Sequence, residues 1–211
     1  METPLDQSDR EREPEYQPQI NLLLHWVGRL VIWLFGWKVR AEPLPGKKFI
    51  LIGAPHTSNL DFVIMLATSF VLRLKLYWMG KHTLFRAPFG WLAKRLGGLS
   101  IDRTAPHGVV EQIAEQMNVA EELILVVAPA GTRKYTNHWK SGFYWIASKA
   151  QVPIVCGYID YGRKQAGFGM SLLPSGNVGK DMEMIRAFYK DIQGRFPHAQ
   201  TMIRLREETP S

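Results

Sequence analysis

The chain of 211 residues holds a single cysteine, Cys156. One thiol excludes an intrachain disulfide and any zinc cage built from cysteines, and its apolar surroundings, Val152, Pro153, Ile154 and Val155, read as core. A long charge-free apolar run is missing as well. The mostly apolar segment 20–37 carries Arg29 near its middle, which makes a full membrane span expensive. Residues 1–19 lack a basic stretch leading into an apolar one and a cleavage site. They are polar, carry both charge signs and several prolines, and are expected to be a disordered tail without a secretory signal, on a cytoplasmic protein. No dense basic patch with interleaved aromatics is present, which argues against a nucleic-acid partner.

The net charge is +7 with a pI near 9.6. Anionic partners follow from this, whether phosphorylated small molecules or anionic lipid headgroups. In segment 20–37, Asn21, His25 and Arg29 recur at spacings of four and form one narrow helical stripe. The remaining face is wide and carries Trp26, Trp33 and Trp37. The number of tryptophans favours a helix lying in the membrane interface over a bent span or an ordinary core-packing helix.

Downstream, short apolar runs at 49–52, 76–79, 99–101, 123–128 and 152–159 alternate with helical patterns at 62–74, 91–96, 109–121, 141–149 and 182–194. Such alternation predicts an α/β fold with a mostly parallel sheet and helices on both faces, preceded by the amphipathic interface helix. The expected division is a polar tail over 1–19, a membrane-interface helix over 20–40 and one domain over 41–211.

In parallel sheets ligands bind beyond the carboxyl ends of strands, so loops that follow strands are where chemistry is sought. The segment Ala54-Pro55-His56-Thr57-Ser58-Asn59-Leu60-Asp61 joins a strand to a helix. Ser58 and Asp61 have the spacing of a capping box, which predicts a helix starting at Ser58 and leaves His56 just outside it. An aspartate folded back onto the imidazole would fix its tautomer and stabilise the imidazolium, leaving the other ring nitrogen to take a hydroxyl proton. By itself the pair is equally a helix cap next to a loop histidine. Lys81, Arg103 and the loop Pro129-Ala130-Gly131-Thr132-Arg133 also follow strands, and their cations could converge on one anion.

Four ordered blocks together resemble the glycerolphosphate and lysophosphatidate acyltransferases. His56 and Asp61 match the family's H-x-x-x-x-D motif, and Gly98 to Arg103 a glycine-led block ending in arginine. Pro129, Gly131, Thr132 and Arg133 match a third block, and Val152 to Val155 a fourth. The resemblance covers about half the chain. It implies transfer of an acyl group from acyl-CoA or acyl-carrier protein to the hydroxyl of 1-acylglycerol-3-phosphate, giving phosphatidate, with no metal, no cofactor and no covalent intermediate. It further implies that His56 is the general base, supported by Asp61. Lys81, Arg103, Gly131, Thr132 and Arg133 would then bind the acceptor, at the cytoplasmic face of a membrane, with membrane lipids as partners and the protein peripheral or monotopic. Ala130 stands where the family usually carries glutamate. An engineered replacement that weakens turnover, and a natural member with an altered acceptor or impaired activity, both account for it. Acylation of another lyso-lipid and non-catalytic lipid binding are the alternative functions.

Overall fold

The structure, a computed structural model, describes residues 20–80, 86, 90–100 and 108–208. Seven strands form one sheet in the order β1-β7-β6-β2-β5-β3-β4. Here β1 is Lys38–Ala41, β2 Lys48–Ala54, β3 Leu76–Gly80, β4 Gly98–Ser100, β5 Leu123–Val127, β6 Ile154–Asp160 and β7 Gln165–Leu172. All neighbouring pairs are parallel except β6 with β7. The helices are α1 Leu22–Leu34, α2 Leu60–Val71, α3 Gly90–Arg95, α4 Val109–Val119, α5 Gly142–Ala150 and α6 Val178–Tyr189.

The uninterrupted apolar runs become the central strands because both faces of the sheet are covered. Ile50, Ile52, Leu125, Ile154 and Cys156 point to one side, into a core with Ile113 of α4, Phe143 and Ile146 of α5, and Met182 and Ile185 of α6. Their strand neighbours Phe49, Leu51, Ile124, Val126 and Val155 point to the other side, where Met65 of α2 packs. Cys156 is fully buried and its thiol is pushed up to about 12 by that burial, so it carries no reactive thiolate.

α1 lies on α2. A Cβ on Gly28 would sit 2.7 Å from both the Ala67 carbonyl oxygen and the Phe70 Cβ, so glycine permits the close approach of the two helices. The helix stops at Leu34, and residues 38–40, expected to continue it, instead enter edge strand β1. Strand β7, which the apolar pattern does not reveal, carries Gly167 and Gly169. At Gly167 (φ +156°) a Cβ would fall 1.5 Å from the Arg40 carbonyl oxygen of β1, so a close strand contact, not an apolar code, selects the residue. Ser141, just ahead of α5, donates to Glu207 at 2.6 Å and makes no side-chain capping bond to that helix. One further expectation shifts. The last helix begins at Val178, where Asn177 caps it by accepting from the Lys180 N–H at 3.1 Å, and it ends at Tyr189.

Candidate active site

Strands β2 to β6 run in one direction, so their carboxyl ends open along a single edge of the sheet. At that edge β2 passes through a cis Ala54–Pro55 bond into the loop that carries His56. The following helix begins at Leu60, two residues later than the capping-box reading places it. Ser58 accepts from the Leu60 N–H at 3.1 Å, and no side-chain capping bond comes from Asn59.

Asp61, in the first turn of α2, is only 3% exposed. Its Oδ2 accepts the backbone N–H groups of Thr57 and Ser58, each at 2.9 Å, and lies 3.1 Å from His56 Nδ1. Its Oδ1 accepts the Tyr161 hydroxyl at 2.7 Å. An ionised carboxylate only accepts, so this contact assigns the proton to Nδ1 and leaves Nε2 with its lone pair free. Burial pushes the Asp61 carboxyl up. The hydrogen bonds from His56, Tyr161 and Ser58 outweigh that and hold it below the ordinary value of 3.8. The Tyr161 phenol is pushed above its usual range by burial first and then by the Asp61 carboxylate, so it stays a protonated donor.

His56 is 28% exposed and borders two cavities. The larger, about 220 Å³, runs between α2 and the sheet and is lined largely by apolar groups, among them Leu51, Phe62, Met65, Trp78, Val126 and Phe168. The smaller, about 20 Å³ and so of the size of one water, lies toward Pro129, Ala130, Gln200 and Thr201. Ala130 packs its methyl group against the main core.

The β5–α5 loop approaches from the next strand. Gly131 (φ +65°) turns it, with the Gly131 N–H bonded to the Ala128 carbonyl at 2.9 Å. Thr132 Oγ1 accepts from the Lys134 N–H at 3.2 Å, which makes it a loop-shaping group. The exposed Arg133 donates through Nη1 to Asn59 Oδ1 and is thereby tied to the start of α2. The structure thus brings His56, Asp61 and the 131–133 loop together, whereas Lys81 and Arg103 lie outside the described residues. Asn59 and Tyr161 belong to the constellation and were not expected from the sequence. Tyr161 could have been flagged by the rule applied elsewhere, since it directly follows strand β6.

A family model described as acyltransferase matches residues 37–160. The match spans more than half of the chain, and the chain belongs to that family. Among curated proteins it is similar to the 1-acyl-sn-glycerol-3-phosphate acyltransferase of Limnanthes douglasii, 31% identical over 144 residues that make up 64% of this chain and 50% of that protein. The corresponding protein of Cocos nucifera is 28% identical over 151 residues, 65% of this chain and 46% of that protein. The chain spans about half the length of these curated relatives. Among solved structures, the 1-acyl-sn-glycerophosphate (LPA) acyltransferase PlsC of Thermotoga maritima superposes with a TM-score of 0.53 at 19% identity, covering 80% of this chain and 74% of that one; it shows a shared fold.

Proposed function

We propose that this chain transfers a fatty acyl group from an acyl thioester to the free hydroxyl of 1-acylglycerol-3-phosphate, giving phosphatidate. The observation that carries the reading is a histidine whose Nδ1 is held by a buried carboxylate and whose ring borders an apolar cavity. His56 Nε2 takes the acceptor's hydroxyl proton as the oxygen attacks the thioester carbonyl. The C–S bond then breaks, and the imidazolium returns the proton to the departing thiolate. The apolar cavity takes the acyl chain, each buried methylene contributing about 0.8 kcal/mol. Arg133, oriented by Asn59, binds the acceptor phosphate, and Lys81 and Arg103 are assigned to the same anion. The donor is acyl-CoA or acyl-carrier protein.

The relatives' names support the acceptor, and an acceptor screen with mass-spectrometric identification of products tests it. The expected product from lysophosphatidate is phosphatidate, formed faster than the product of any uncharged lyso-lipid. In the same screen, Ala130→Glu puts a carboxylate at the small cavity that His56 borders, in place of a methyl group packed on the core, and is expected to raise the KM of the anionic acceptor by about two- to fivefold. Lysophosphatidate binding without any product would replace this reading with that of a lipid-binding protein.

The site works at a membrane surface in this proposal, with the protein peripheral or monotopic on the cytoplasmic face. Among the described residues no helix is long and apolar enough to cross a membrane. On α1, Gly28 and Ile32 are buried against the domain, while Trp26 (61% exposed), Leu30 and Trp33 (74% exposed) share the outward face with Leu22, Leu23 and Leu34. Arg29 is exposed, its guanidinium 5.2 Å from the Trp26 ring centroid. A face of this kind buries apolar rings among acyl chains while its cation meets headgroups. Replacing Trp26, Leu30 and Trp33 together by serine is expected to weaken binding to anionic vesicles by about a hundredfold or more, since each side chain forfeits roughly 1.5–3 kcal/mol of burial. Flotation assays check this, and undiminished vesicle binding would remove α1 from the account.

A further inference from the structure

The Asp61 carboxylate has two oxygens, and the H-x-x-x-x-D pattern accounts for the partners of only one. Oδ2 is filled from the local loop, by Thr57, Ser58 and His56. Oδ1 receives the Tyr161 hydroxyl, from 100 residues further along the chain. Without that donor, one oxygen of a buried anion would lose its hydrogen bond and the carboxylate would be anchored through Oδ2 alone.

Tyr161 is itself held from three sides. Its backbone N–H donates to the Gln193 carbonyl at 2.8 Å. The preceding Asp160, 2% exposed, closes the β6–β7 turn by accepting the Gly162 N–H at 3.0 Å and Arg163 Nη1 at 3.2 Å. The ring packs edge-on against Trp37, centroids 4.9 Å apart and planes at 90°. Trp37 is buried just beyond the end of α1. A phenol fixed at backbone, turn and ring is pre-organised to hold whatever its hydroxyl touches, and what it touches is the carboxylate that orients His56.

We infer that Tyr161 is a positioning residue for acyl transfer, holding Asp61, and through it the His56 imidazole, in the geometry that presents Nε2 to the acceptor hydroxyl. The inference rests on the acyl-transfer reading for its kinetic consequence but not for its structural one. Tyr161 touches no reacting atom; it acts by removing one degree of freedom from the dyad. The charged and titratable groups around the contact are His56 from the β2–α2 loop, Asp61 from α2 and Arg195 from the segment after α6.

The test is Tyr161→Phe in the full chain, which deletes one oxygen and keeps the ring on Trp37. For transfer from an acyl thioester to lysophosphatidate in vesicles, kcat is expected to fall roughly three- to tenfold, the scale of one hydrogen bond, with the KM values for both substrates unchanged. Proton NMR of the His56 Nδ1–H supplies a readout that needs no turnover. In the variant this proton is expected to shift and to exchange faster with water, while the amide spectrum elsewhere stays that of the folded protein. A kcat within a factor of about 1.5 of wild type, with an unmoved Nδ1–H signal, overturns the proposal. Where wild-type protein yields no acylated product at all, the NMR comparison still decides the role of Tyr161 in the dyad, and only the acyl-transfer reading falls.

Discussion

Replacing His56 by alanine is expected to lower kcat for acyl transfer by about 10²- to 10⁴-fold, the usual contribution of a positioned general base. The fold should survive. The ring stands in a loop, is partly exposed and, among the described residues, makes one side-chain hydrogen bond, to Asp61. When it is removed, Asp61 keeps the Thr57 and Ser58 N–H groups and the Tyr161 hydroxyl, so no buried charge is orphaned. The loss is therefore expected chiefly in kcat, with the melting temperature lowered by only about 2–4 °C, the scale of one hydrogen bond, and little change in the acceptor's KM. A rate within threefold of wild type would remove His56 from the chemistry.

The second large effect is at Asp61, where two substitutions separate orientation from charge. In Asp61→Asn, the amide oxygen can still accept from Thr57, Ser58 and Nδ1, and its NH₂ can turn to the Tyr161 oxygen. The protein is expected to fold but to lose roughly 10²-fold or more in kcat, because no negative charge stabilises the imidazolium as the proton arrives. Asp61→Leu leaves two buried N–H groups and a phenol without an acceptor and is expected to destabilise the fold by about 3 kcal/mol or more. The pH dependence follows from the depressed folded-state value. Asp61 is a stronger acid in the fold than in the unfolded chain, so its contribution is complete above the ordinary value of 3.8 and is lost as pH falls below it. Acid unfolding of the Asp61→Asn protein should accordingly be shallower than that of wild type below this pH. Superimposable acid-unfolding curves would contradict the buried hydrogen-bonded carboxylate.

What the sequence revealed of this architecture is what depends on neighbours along the chain. The central strands are legible as apolar runs because burial on both sheet faces demands apolar residues without alternation. The His56–Asp61 pair is legible because the two partners lie five residues apart across one strand-to-helix junction. Contacts set by topology are not. Tyr161 reaches Asp61 only because β6 lies beside β2, and Asn59 meets Arg133 across 74 residues because β5 flanks β2 on its other side. The strands at one side of the sheet, β1 and β7, were equally hidden. β1 is short, charged and mostly exposed, and β7 takes a glycine at 167 where β1 crowds it. The polar stripe of α1 was visible. That Gly28 and Ile32 beside it form the packed face depends on α2, which no local pattern reports.

The proposed reaction passes the acyl group from the thioester directly to the acceptor hydroxyl, His56 and Asp61 handling only the proton. Its most direct test is to mix the protein with a thioester labelled in its acyl group and lysophosphatidate in vesicles, quench with acid, and locate the label. Wild-type protein is expected to place it in phosphatidate and none on the polypeptide, and the His56→Ala protein to leave it in the thioester. Label bound covalently to the protein, or equal phosphatidate formation by the two proteins, would contradict the account.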